Sequence, residues 1–209
     1  MSRTSLISGG RFTKQLPAAL AVAAALVVPA GALCIGAAAS AATPKLSTKL
    51  LTIAQMPTGW SVVSLKSGKV GCLGELLQPK GVTLTSTAST NFSSKAGVPV
   101  VEEKLATYAN TKTGYNKIVA NLAACKHFSG SLNGQKITGG TVRNISFSHY
   151  GNASEAFAVS YTIQATTVHE DLLIIRDANV VMGISEGNFG PVNTSQLQGF
   201  VKKAVADLA

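Results

Sequence analysis

The sequence predicts an α+β domain: a single twisted antiparallel sheet with about three helices packed on a face of it. Two observations carry this. Strand-like runs outnumber helical ones, and the last four of them (141–149, 155–166, 172–175 and 180–184) are joined by short turn-like segments, as in an antiparallel meander. The long crossovers that an all-parallel sheet needs are missing.

The elements follow in order. Leu46, Leu50 and Ile53 recur at helical spacing, so 46–56 reads as a short amphipathic helix, ended by Met56-Pro57-Thr58-Gly59-Trp60. Trp60 to Val63 is extended, with Trp60 expected to pack on that first helix. Residues 66–80 hold Gly68, Gly71, Cys72, Gly74 and Pro79 and read as a loop. Val82 and Leu84 alternate with threonines and lead a strand towards Phe92. Lys95-Ala96-Gly97 is a turn; in 98–108, Glu102-Glu103-Lys104 with Leu105 and Tyr108 suits a helix, but Val98, Val100 and Val101 suit a strand, to which the segment is assigned. Tyr115, Ile118, Val119, Leu122 and Cys125 share one helical face, capped by Thr111 or Thr113. Asn133-Gly134 and Gly139-Gly140 are hairpin-type turn signals. Leu172 to Ile175 is apolar on both faces and belongs mid-sheet. Leu197, Phe200, Val201, Ala204, Val205 and Leu208 form the stripe of a closing helix, capped by Thr194 or Ser195, with Lys202, Lys203 and Asp207 on its other face.

The N-terminus gives an address. Arg3, Arg11 and Lys14 precede an uncharged apolar stretch from Leu16 to Ala39, which ends in Ala39-Ser40-Ala41. This is the pattern of a secretory signal cut after Ala41, leaving residues 42–209 as one exported domain. An uncleaved anchor is an alternative, because the stretch is long enough to span a bilayer. Lipidation at Cys34 is another, although Leu33 is larger than a lipobox prefers. All three place residues 45–209 outside the cytoplasm, secreted or associated with the envelope. With Cys34 removed, Cys72 and Cys125 remain and read as a disulfide in an oxidising compartment.

The chain carries 18 Lys+Arg against 9 Asp+Glu, a formal net charge of +9. The lysines are scattered, Lys202-Lys203 being the one doublet of the exported part. A nucleic-acid surface would show clustered Arg and Lys, often with interleaved aromatics, and is not expected here. A basic soluble surface, or attraction to an anionic wall or lipid, fits better.

At the level of motifs, Met56-Pro57-Thr58-Gly59-Trp60 after a short helix, a following cysteine, and Leu122-Ala123-Ala124-Cys125-Lys126-His127-Phe128 closing a second helix form a pattern. With the strand-strand-helix ending from Asp171 to Leu208, it resembles the actinobacterial extracellular sensor-type domains of PknH-like receptor kinases and related lipoproteins. The resemblance implies an α+β cleft domain that binds an extracellular ligand, with no enzymatic activity assigned. That family often has two disulfides, and this chain can make one. The resemblance carries over no ligand-binding residue.

Chemistry-bearing motifs are sparse. His127 sits at a helix end, His149 shares strand parity with Arg143, Ile145 and Phe147, and His169-Glu170-Asp171 reads as a solvated turn before a buried strand. No H-x-H, H-E-x-x-H, G-x-S-x-G or phosphate-loop spacing occurs. No metal or cofactor is expected. Glu102, Glu103 or Glu186 with Asp171 could supply a carboxylate pair. Asn91, Asn144, Asn152 and Asn193 begin sequons that matter only in a glycosylating host. The expectation is therefore a non-enzymatic, monomeric binding or sensor-like domain for an extracellular small molecule, lipid or wall component. The alternatives are an envelope hydrolase built around His169 and Asp171, and a wall-associated structural protein held by charge.

Overall fold

The computed structural model describes residues 45–65, 70–74, 76–132 and 134–209. The expected signal cut at Ala41 and the lipidation reading at Cys34 lie outside the described residues. Among the described residues eight strands form one sheet: β1 (Trp60–Val62), β2 (Leu84–Ser94), β3 (Val100–Tyr108), β4 (His127–Leu132), β5 (Gln135–Ile145), β6 (Ala153–Ile163), β7 (Thr166–Asp177) and β8 (Val180–Asn188). Their order is β1-β2-β3-β8-β7-β6-β5-β4, and every neighbouring pair is antiparallel. Helix α1 (Thr111–Ala124) follows β3, and helix α2 (Thr194–Leu208) follows β8. Since β3 and β4 are separated by four strands in the sheet, α1 must carry the chain across one whole face.

That crossing makes the sheet a middle layer. Helix α1 covers one face through Ile118 and Leu122, which join Phe157, Leu172 and Ile174 in one core cluster. Helix α2 covers the other through Leu197, Phe200 and Val201, which join Leu173, Ile175 and Ile184. The helices therefore lie on both faces, where a packing on one face was expected. This explains why Leu172 to Ile175 is apolar without alternation: successive side chains enter opposite cores.

Several local expectations are corrected. Residues 46–56 form two 3-10 turns, Leu46–Lys49 and Ile53–Gln55, and not one helix. The Leu51 N–H between them donates to Glu103 Oε2 at 2.7 Å, a bond that a continuous helix would claim for itself. The helix caps are the asparagines one residue earlier than expected. Asn110 Oδ1 accepts from Thr113 N at 2.9 Å, and Asn193 Oδ1 from Gln196 N at 3.1 Å. Gly139-Gly140 is not a turn but an irregularity inside β5, between Thr138 and Thr141. A Cβ on Gly140 would meet Phe128 O at 2.5 Å, so the glycine permits close approach of β4. Gln164 and Ala165, both with positive φ (48° and 63°), turn β6 into β7 without any glycine. His169 to Asp171 lies within β7, not in a turn. Trp60 packs edge-on against Phe200 of α2, with ring centroids 5.5 Å apart.

Gly114 is a further test of how α1 sits. A Cβ there would lie 2.7 Å from Tyr108 Cδ2, because the Tyr108 ring fills the space beneath the helix. In an exposed helix Gly→Ala gains about 1 kcal/mol. Here Gly114→Ala is expected to destabilise by about 1–3 kcal/mol through overpacking, measured by urea unfolding. A gain in stability would mean that α1 rides higher over β3.

Candidate functional site

Strand alternation divides the charged residues of the sheet between its two faces. On β3, Glu102 and Lys104 share the α1 face with Val100, while Glu103 shares the α2 face with Val101 and Leu105. On β7, Glu170 points with Val168 and Leu172 to the α1 face, and His169 and Asp171 point the other way. The register then assembles the site. Glu102 lies opposite Ser185, Ser185 opposite Leu172, and Glu170 opposite Gly187. The β7–β8 hairpin and the sequence-distant β3 thus place Glu102, Lys104, Glu170 and Ser185 together.

These four form the polar floor of a groove. Its walls are Val70, Leu73 and Leu76 from the loop before β2, with Val159 and Leu172 from the sheet. The compartment spans about 490 Å³ including open solvent at its mouth, and its free interior has room for about two water-sized groups. A second compartment of about 300 Å³ shares Glu102, Glu170 and Ser185 and runs on to Val98, Gly187 and Phe189. Phe189 is exposed at that end. Gly183 belongs to the floor, and a Cβ there would only touch Ile174 and Leu77 at 3.7 Å.

The electrostatics of the floor are unusual for a sheet interior. Glu102, Lys104 and Glu170 are each only 7 % exposed. Glu102 Oε1 pairs with Lys104 Nζ. Burial holds the Glu102 carboxyl above its ordinary range, with Lys104 pulling the other way. Burial pushes Glu170 up to about 7, opposed by a hydrogen bond from Ser185 and reinforced by the charge of Glu102. Glu170 Oε2 is buried without a hydrogen-bond partner among the described residues. The Tyr161 hydroxyl is a second such atom, and burial together with Glu170 and Glu102 pushes its ionisation upwards.

The other face carries a separate set. Glu186 lies directly opposite Asp171. Glu186 Oε1 accepts from Asn193 N at 3.2 Å, next to the start of α2. Burial raises Asp171, and Arg143 opposes that shift. So Glu186 with Asp171, one of the carboxylate pairings considered above, does share a register position, whereas Glu102 and Asp171 lie on opposite faces. His169 is exposed and does not converge with Glu170. His149 is exposed, with Nδ1 3.3 Å from Ser154 Oγ, and His127 is exposed at the start of β4. No group of three or more His, Cys, Asp or Glu suited to a metal ion occurs among the described residues.

The loop that walls the groove is tethered to the helix that covers it. Cys72, in the 3-10 turn Gly71–Leu73, comes to disulfide distance of Cys125 at the end of α1, with Cα atoms 6.0 Å apart. The Tyr108 hydroxyl donates to Leu77 O and holds the same loop from β3. Gly71 sits at φ +48°, where a Cβ would also meet Phe128 Cβ at 2.9 Å. Sequence reasoning singled out the two cysteines and Glu102. It did not single out Lys104 or Ser185, and it read Glu170 as part of a solvated turn.

No family model matches the chain, and no curated protein matches it. Among solved structures, the chain is similar to the extracellular domain of PknH from Mycobacterium tuberculosis. The TM-score is 0.57 at 13 % sequence identity, covering 78 % of this chain and 93 % of that one. The two chains share a fold. This agrees with the fold implied by the motif resemblance around Met56–Trp60 and Leu122–Phe128. No described helix is long and apolar enough to cross a membrane.

Proposed function

We propose that this chain is an extracellular, sensor-like binding domain whose ligand enters the groove between the sheet and the Cys72 loop, and that it acts by binding and not by turnover. The observation that carries the reading is the groove itself: apolar walls around a few buried, convergent polar groups, the usual make-up of a small-molecule site. The fold shared with an extracellular domain supports the compartment, as does a cysteine pair at disulfide distance. The N-terminal signal pattern points the same way.

A neutral fluorescent probe tests the site. N-phenyl-1-naphthylamine is expected to brighten on binding the protein, and Gly183→Val to abolish the signal by filling the floor while the fold melts as before. An equal signal from both proteins, or none from the wild type, would overturn this location for the site.

A further inference from the structure

We propose that the groove takes an elongated apolar molecule ending in a protonated amine, with the ammonium seated against Glu170, beside Ser185 and the Glu102–Lys104 pair. The inference rests on the groove being the binding site and adds the class of ligand.

The floor has two carboxylates and one ammonium, and Lys104 is paired with Glu102. That one ammonium serves both carboxylates, since Lys104 also pulls on Glu170 through its charge, so the floor is one positive charge short when both carboxylates are ionised. Glu170 is more than nine-tenths buried, lines both compartments, and has Oε2 unpartnered among the described residues. A buried polar atom without a partner costs free energy that a ligand donor recovers. An ammonium N–H supplies a charge-assisted hydrogen bond to Oε2. A carboxylate or phosphate head would instead face Glu102 and Glu170 together and meet like charge. The compartment's free interior, about two water-sized groups, suits a compact ammonium better than a bulky head. Above it, Val70, Leu73, Leu76, Val159 and Leu172 offer only apolar contact, which suits an alkyl or similar body.

Calorimetric titration with decylamine, 1-decanol and decanoate at pH 7.5 separates the possibilities, because the three share a body and differ in the head. Decylamine is expected to bind the wild type at least about tenfold more tightly than the other two, as a buried charge-assisted bond supports. Glu170→Gln, an isosteric change, is expected to bring decylamine down to the level of decanol while leaving decanol unchanged. Equal binding of all three by the wild type would overturn the amine preference but leave the groove as an apolar site. Tightest binding of decanoate would overturn it in favour of Lys104 as the recognition group. If none of the three binds and N-phenyl-1-naphthylamine also fails, the groove is not the site at all.

Discussion

Replacing Cys125 by Ala is expected to lower the free energy of unfolding by about 4 kcal/mol. The two cysteines are 53 residues apart. Closing a loop of that length removes chain entropy from the unfolded state worth about 4 kcal/mol in the loop-closure model. Strain does not enter that figure, and native disulfides fall within about 2–5 kcal/mol when removed. The loss has a place as well as a size. Val70, Leu73 and Leu77 are buried around Cys72, and Leu122 lies within the last turn of α1 before Cys125. Without the link, the loop keeps its apolar contacts, the Tyr108 bond to Leu77 and the Lys117 bond to Lys80 O. The groove wall is then expected to loosen, with weaker probe binding even under conditions where the protein stays folded. Urea unfolding of Cys72→Ala, Cys125→Ala and the double variant gives the check. All three should lose the same amount, because either substitution removes the same link. Losses that add, or that fall below about 1 kcal/mol, would mean that the cysteines act as two separate thiols.

The contrast between what could and could not be read from sequence follows from how far each signal reaches along the chain. The α2 stripe and the α1 face are periodic over 14 or 15 residues, so both helices are legible. Their caps are less so, since Asn110 and Thr111, like Asn193 and Thr194, are both good capping residues and only geometry chooses between them. The Gln164-Ala165 turn has no glycine or asparagine to announce it, and the break between the two strands is therefore read too late, at His169-Glu170-Asp171. Strand β4 follows directly on α1, and its pattern Phe128-Ser129-Gly130-Ser131-Leu132 is too short to stand out. The site is hardest. Glu102 and Glu170 lie on strands that touch only through β8, and pairing register is not a local property. One signal was present all the same. Val168, Glu170 and Leu172 share parity, as do Val101, Glu103 and Leu105, so alternation alone places both glutamates on buried faces. Reading His169-Glu170-Asp171 as a polar turn hid this, because three polar residues in a row suggest solvent when alternation is ignored.

The buried glutamates lead to the second large effect: this protein is expected to lose stability as pH rises from about 4.5 to about 7. Glu103 and Glu186 are fully buried, and Glu170 nearly so. Burial pushes each of them up to about 7 from an ordinary 4.5. A carboxyl raised in the folded state binds its proton more tightly there than in the unfolded chain. Between the two values the native state holds more protons than the unfolded state, so the slope of stability against pH is negative. The contribution is intact below about 4.5, falls through the window, and levels off above about 7. Each group can cost about 3 kcal/mol across the window, and Glu170 with Glu102 will not add simply because their charges interact. Glu103 is the cleanest probe, since it lies on the α2 face away from the groove. Glu103→Gln keeps an acceptor for the Leu51 N–H but adds an amide N–H₂ where Oε1 has no partner among the described residues. The amide penalty applies at every pH, so the variant is expected to fall about 1–2 kcal/mol below the wild type near pH 4.5 and to exceed it by about 1–2 kcal/mol at pH 8. Urea unfolding curves at half-unit steps from pH 4.5 to 8 measure both. A wild-type stability that climbs with pH through this range would show that these carboxylates are held charged in the fold, by partners stronger than the Leu51 and Asn193 N–H groups that now face Glu103 and Glu186.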